Sequence, residues 1–192
     1  MNYADDYSGW GNSVLYRMCK DRPLHTDLDT VCGKLWIIGR AYSASIERKS
    51  GKDFKIENAA KLLINSGLDD AIQNLKSVGR PNSENISRIL ATHKLLTDLF
   101  GSATGIEKRS LASKYLHFHV PESVFIFDSI ANKEIRNRLK RKRFKYLKGF
   151  DDTYSAFCAR CLHYRDNEFE PRLGMLATPR KLDMELLGYA AL

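Results

Sequence analysis

The chain has 192 residues, 43% of them hydrophobic and 28% charged, with a formal net charge of +8. That length is enough to bury one core, either as a single domain over 1–192 or as two small helical lobes sharing it. No apolar run approaches the roughly 18 residues of a membrane span, and the opening "MNYADDYSGW" is acidic and polar, unlike an export signal, so a soluble cytoplasmic protein is expected.

In chain order, "WGNSVLYRMCKDRP" predicts a short helix closed by Pro23. "HTDLDTVCGKLWIIGRAYSASIERKSG" predicts a longer one, capped by Thr26 or Asp27 and ended by Ser50 and Gly51. Its apolar positions Leu28, Val31, Cys32, Leu35, Ile38, Tyr42 and Ile46 recur at three- and four-residue spacing. "IENAAKLLINSG" and "LDDAIQNLKSVG" give two short helices punctuated by Gly67 and Gly79. "RPNSENISRILATHKLLTDLFGSATG" gives a firm helix with Asn82 or Ser83 at its cap and Gly101 at its stop. Further helices are expected over 151–164 and 179–188, the latter a capped amphipathic closing helix in which Asp183 reads as scaffold. "VFIF" is the one strand-like piece, too short to decide by periodicity, so the expected fold class is all-α.

The four cysteines, Cys19, Cys32, Cys158 and Cys161, lack a second pair spaced like "CARC", and Cys158 and Cys161 are one helical turn apart. Core packing is the expected role, with no metal site and no cofactor. The charge is concentrated. Nine of the 31 basic residues but one of the 23 acids fall in "KEIRNRLKRKRFKYLK", residues 133–148, which leaves 22 of each sign elsewhere. Such a run is the electrostatic footprint of phosphate-backbone binding, although a solvated helix face or a localisation patch has the same composition. An acidic membrane surface fits less well, because the run lacks an apolar face.

The stretch "SLASKYLHFHVPESVFIFDS" is apolar and aromatic, yet Lys114 and Asp128 sit seven residues either side of Pro121. Ser110 would cap a helix starting at Leu111, which must end before Pro121. Leu111, Tyr115 and Phe118 share one face of it, with Lys114 at the edge of that face. A lysine so placed is partly desolvated, which favours its neutral, nucleophilic form. Asp128 precedes "SIANKEIRNRLKRKR", the expected helix of the basic run, and can cap it. A reversal at Pro121 would set the two side chains opposite one another. Taken alone, Lys114 reads equally as a lysine snorkelling from an apolar face, and Asp128 as a plain cap. His117 and His119, two residues apart, point to different sides of a helix and do not share a metal.

A helix, a turn and a second helix, with a lysine on the first arm and an aspartate at the cap of the second, resembles the helix-hairpin-helix DNA glycosylase superfamily. "SLASKYLHFHVPESVFIFDS" is most similar to its 8-oxoguanine-glycosylase-like bacterial members. The resemblance implies a helical domain with two lobes around a base-binding cleft. It also implies Lys114 as the nucleophile at C1′, forming a Schiff base that permits strand scission, and Asp128 as the assisting aspartate. The partner implied is DNA, a duplex with one flipped nucleotide, and the location the nucleoid. Typical members carry a glycine-rich hairpin just before the lysine. Here that place reads "GIEKRSLASK", with Gly105 the nearest glycine, and the 14-residue interval from Lys114 to Asp128 is short. Phosphate contact is accordingly expected from Lys108 and Arg109 and from Arg136, Arg138, Lys140, Arg141, Lys142, Arg143 and Lys145. No four-cysteine cluster follows, so no iron–sulfur centre is expected.

Base-pocket candidates are Trp36, Arg40 and Tyr42 from "WIIGRAYSASIER", and Phe125 and Phe127, all equally suited to packing. Two other classes stay open. A non-catalytic binder of damaged or modified DNA would need the basic run alone, and a metal-dependent nuclease would need converging carboxylates, for which Asp69 with Asp70 and Asp151 with Asp152 are the nearest offering. Which base is excised, and the oligomeric state, do not follow from the sequence.

Overall fold

A computed structural model of the chain describes residues 10–64 and 66–189, and the acidic amino-terminal segment weighed above lies almost wholly outside them. The architecture is all-α. The helices are α1 (Trp10–Asp21), α2 (Leu28–Ala41), α3 (Ile56–Ile64), α4 (Leu68–Lys76), α5 (Ile86–Thr104), α6 (Arg109–His119), α7 (Ser129–Arg138), α8 (Asp152–Tyr164), α9 (Glu170–Leu173) and α10 (Pro179–Leu186). A π turn, Arg165–Phe169, joins α8 to α9. Among the described residues there is no strand, and no helix is long and apolar enough to cross a membrane.

Helix α6 lies at the centre. It packs against α1, α2 and α5, while α7 packs on α8 and α10. Every side chain from Leu111 to His119 is buried, so α6 has no solvent face and Lys114 is enclosed instead of lying at the edge of an apolar stripe. Most of its polar side chains find partners, as burial demands, His119 Nε2 being left without one among the described residues. His117 Nδ1 meets Val124 O at 2.9 Å and its Nε2 meets Tyr16 Oη at 2.6 Å, whereas His119 stacks on His25 and Tyr115. Cys19, Cys158 and Cys161 are buried free thiols in the helices, and Cys32 is half-buried.

Several boundaries depart from the sequence expectation. Asp27 does cap α2, its carboxylate accepting from Thr30 N at 2.7 Å, but that helix stops at Ala41 instead of Ser50. Residues 42–55 then form an irregular segment in which Ser43 and Lys49 take positive φ, 51° and 63°. Helix α5 runs through Gly101 and ends where Gly105 adopts the left-handed conformation, φ 70°, donating its N–H to Gly101 O at 2.8 Å. The α7 helix ends at Arg138, so most of the basic run lies in the non-helical segment 139–150.

"VFIF" is extended and buried without being a strand. Side chains bond part of its backbone: Phe127 N donates to Ser113 Oγ at 3.0 Å, Tyr154 Oη donates to Phe125 O at 2.8 Å, and His117 bonds Val124 O. The segment therefore threads the core between α6 and α8 and delivers Asp128 to the start of α7.

Candidate functional site

Lys114 and Asp128 come together. Lys114 Nζ lies 3.8 Å from Asp128 Oδ2, beyond hydrogen-bond length but within ion-pair range. The ammonium donates to Tyr42 O at 3.2 Å and to Ser110 Oγ at 3.0 Å, and it lies 5.8 Å from the centre of the Tyr42 ring. Ser110 is thus a partner of Lys114 one helical turn on, and Lys108 occupies the cap position of α6 that the sequence assigned to Ser110. Asp128 is the N-cap of α7, its Oδ1 accepting from Ala131 N at 2.8 Å, which leaves Oδ2 turned to the lysine.

Burial pushes the Lys114 amine below its ordinary value, and the carboxylates of Asp128 and Asp183 pull it part of the way back. The side chain of Lys114 is 5% exposed and that of Asp128 is 22% exposed, so the lysine is the enclosed partner and the aspartate the accessible one.

The pair lines a cavity of about 510 Å³. Its walls come from the irregular segment after α2 (Tyr42, Ser43, Ser45, Arg48, Lys49), from the α5–α6 turn and first turn of α6 (Glu107, Lys108, Arg109, Ser110), and from Phe127, Ser129 and Ile130. Both non-glycine residues with positive φ, Ser43 and Lys49, are in this wall. Backbone held in that region costs energy and recurs at functional sites. Gly39 permits the arrangement: a Cβ there would stand 3.0 Å from Ser45 Cα, so the wall segment lies directly on α2.

Among the sequence-predicted pocket residues, Tyr42 and Phe127 reach the cavity. Trp36 (52% exposed) and Arg40, stacked on each other at 5.7 Å, do not line it, and Phe125 is core under Arg165. The predicted phosphate contacts also divide. Arg138 is engaged by Glu134, Glu185 and Tyr164. Arg109 is clamped on Asp151 through Nε at 2.7 Å and on Glu107, and Lys108 Nζ donates to Arg48 O. Lys142 pairs with Glu168 at 2.8 Å. Arg136, Lys140, Arg141, Arg143 and Lys145 are exposed.

Phe127 and Ser129 also belong to a second cavity, of about 660 Å³, whose walls carry Lys133, Arg136, Lys140, Lys142 and Arg160 beside Asn132 and Asn137. The two cavities thus adjoin through shared residues, the first holding the Lys114–Asp128 pair and the second strongly basic.

Of the acids raised for a nuclease, Asp69 holds buried His25 at 2.5 Å and Asp151 caps α8 while holding Arg109. Asp69 and Asp151 are therefore engaged in structure. Asp183, taken from the sequence as scaffold, is buried beside the pair. Burial pushes its carboxyl up to about 6, against the pull of Arg180 and Lys114. A signal existed: Arg180 and Asp183, three residues apart, share the buried face of α10 with Leu182 and Leu186, and two charges on an apolar face are rarely idle. Comparison of the chain with protein-family models, curated proteins and solved structures gives no match.

Proposed function

We propose that the protein is a DNA glycosylase with Schiff-base chemistry, which flips a damaged or modified base out of duplex DNA and excises it. The observation that carries this reading is the Lys114–Asp128 pair, a desolvated amine 3.8 Å from a helix-capping carboxylate at the wall of a cavity large enough for a nucleotide. On this reading α5, the Gly105 turn and α6 form the hairpin of a helix-hairpin-helix arrangement, with the helical lobes on either side of the base cleft.

A base stacked in a duplex is out of reach of any buried lysine, so the nucleotide must leave the helix. Tyr42 and Phe127 are the aromatic surfaces available to it in the cavity. Desolvation raises the neutral fraction of Lys114, which attacks C1′ as the base departs. The Asp128 carboxylate faces the positive charge that develops on the sugar, fixed in place by its cap bond to Ala131. The strand on either side of the flipped nucleotide would lie along the basic second cavity and the exposed cations of 136–145.

The test is borohydride trapping on oligonucleotides carrying 8-oxoguanine, other modified bases or abasic sites, with Lys114→Gln and Asp128→Asn alongside. A covalent adduct on a base-bearing strand that is absent in Lys114→Gln is the expected result. Tight binding with no adduct on any strand would sink the Schiff-base chemistry and favour a binder of altered DNA or a monofunctional enzyme in which Asp128 activates water.

A further inference from the structure

One buried carboxyl has no part in the reaction as outlined. Asp183 is 3% exposed; its Oδ2 accepts from Arg180 Nη1 at 2.6 Å, and its Oδ1 has no hydrogen-bond partner among the described residues. A buried carboxylate oxygen left unpaired is costly, and such groups call for a reason beyond packing. Its neighbourhood supplies one. Arg180 and Lys114 both lie against the Tyr42 ring, at 5.9 and 5.8 Å from its centre, and Lys114 also bonds the Tyr42 carbonyl.

The ionisable groups facing this cluster are Arg180 on α10 itself, Lys114 and His117 on α6, Asp128 at the start of α7, Tyr42 at the end of α2 and Cys161 on α8. Burial keeps His117 neutral, and it keeps the Tyr42 hydroxyl and the Cys161 thiol protonated. Two cations and two carboxylates remain. Asp128, the more exposed carboxylate, faces the cavity where a sugar would sit, whereas Asp183 is not among the residues of the cavity wall.

Resting on the glycosylase reading above, we propose that Asp183 is the buried counter-ion of Lys114. It is a positioning residue that balances the one positive charge this nitrogen carries first as ammonium and later as iminium. Atoms and charge close on this scheme. The ammonium holds three protons; one ends on the departing base as the C1′–base bond breaks, and one on O4′ as the C1′–O4′ bond breaks. Nζ forms a double bond to C1′ and keeps the third proton, so reactant and product carry the same unit charge. A fixed anion in a poorly solvated site stabilises both. Arg180 holds Asp183 in place, so the anion need not reorganise between them.

The test follows the 13Cε shift of Lys114 by NMR against pH, assigned by its loss in Lys114→Gln, together with borohydride adduct yield. In the wild type a small inflection near pH 6 should accompany the lysine's own titration, as Asp183 gains its proton. Asp183→Asn should abolish that inflection and lower the Lys114 midpoint by about one unit. Asp183→Glu should restore both. A folded Asp183→Asn protein with an unchanged Lys114 titration overturns the proposal. Should Asp183→Asn fail to fold, the wild-type curve decides, and a single smooth titration refutes the pairing. Absence of adduct in the wild type, with the titration as expected, removes the Schiff-base reading and the iminium role but supports Asp183 as partner of the ammonium.

Discussion

Ser113 Oγ accepts the amide of Phe127 at 3.0 Å, and these two residues immediately precede Lys114 and Asp128. This one bond across the reversal fixes the register of the two arms, so the 3.8 Å separation of the charged pair follows from a neutral contact next to it. Ser113 also donates to Ser110 O at 3.0 Å, which ties the same hydroxyl to the turn of α6 that bonds the lysine. Ser113→Ala leaves the buried Phe127 N–H without a partner and should destabilise the fold by about 1–3 kcal/mol, measurable by urea denaturation. Adduct formation should fall with it although neither charged residue is touched.

Asp128 has two tasks that a single substitution separates. Asn caps helices as well as Asp does, so Asp128→Asn should change unfolding free energy by no more than about 0.5 kcal/mol. The negative charge facing Lys114 is lost all the same. Trapping on a base-bearing oligonucleotide should therefore fall by about two orders of magnitude while the thermal midpoint stays.

The cations of the basic run should behave in two groups. Removing Lys140, Arg141 and Arg143 together, all exposed, should leave stability intact and weaken DNA binding, lowering the slope of log K against log salt by about 0.9 per lost phosphate contact. Arg138→Ala should do the reverse. It breaks a pair with Glu134 within α7 and the contacts to Tyr164 and Glu185 that join α7 to α8 and α10, so denaturation will register it more strongly than a salt titration.

Acid should unfold the protein early. Burial holds His117 down at about 3 and His93 at about 4, against an ordinary value near 6.5. The unfolded chain takes up these protons first, so their stabilisation is complete above pH 6.5 and is lost progressively as pH falls toward 3, at about 1.4 kcal/mol per unit of displacement. Asp183 acts oppositely, because a carboxyl raised to about 6 favours the folded state when protonated, but its displacement is the smaller. Urea midpoints measured between pH 7 and 4 should fall steadily, and His117→Gln should flatten the curve.

The cavity wall depends on a close backbone approach between α2 and the segment that follows it. Gly39→Ala would place a Cβ against the backbone of Ser45, which cannot rotate away as a side chain could. A loss of about 1–3 kcal/mol is expected, with altered proteolysis of the 42–50 segment as the local readout.

The charged pair was legible because its ingredients are local: a lysine in an apolar helix, a proline, and an aspartate at a cap. Helix ends were less so. The spacing that carried α2 on to Ile46 is real, since Ile46 is fully buried, but it is buried from a loop after Tyr42 instead of from a helix. Periodicity records burial and cannot tell which backbone delivers it. At 139–145 the reverse holds: Phe144 is the one apolar residue after Leu139, and successive like charges repel, so α7 gives way to a turn and irregular chain. The surroundings of Asp183 are less legible: Arg180 is three residues away, but Lys114 and Asp128, the other charges beside it, are more than fifty residues distant in the chain.

"VFIF" carries a liability that the native state conceals. Four consecutive apolar residues with high strand propensity are the kind of segment that stacks into intermolecular sheets. Here no ladder protects them. The guardians of this backbone are Ser113 and His117 on α6 and Tyr154 on α8. Should α8 detach, Phe125 would lose its guardian at once, and the same four residues that carry Asp128 to its place would become a seed for self-association.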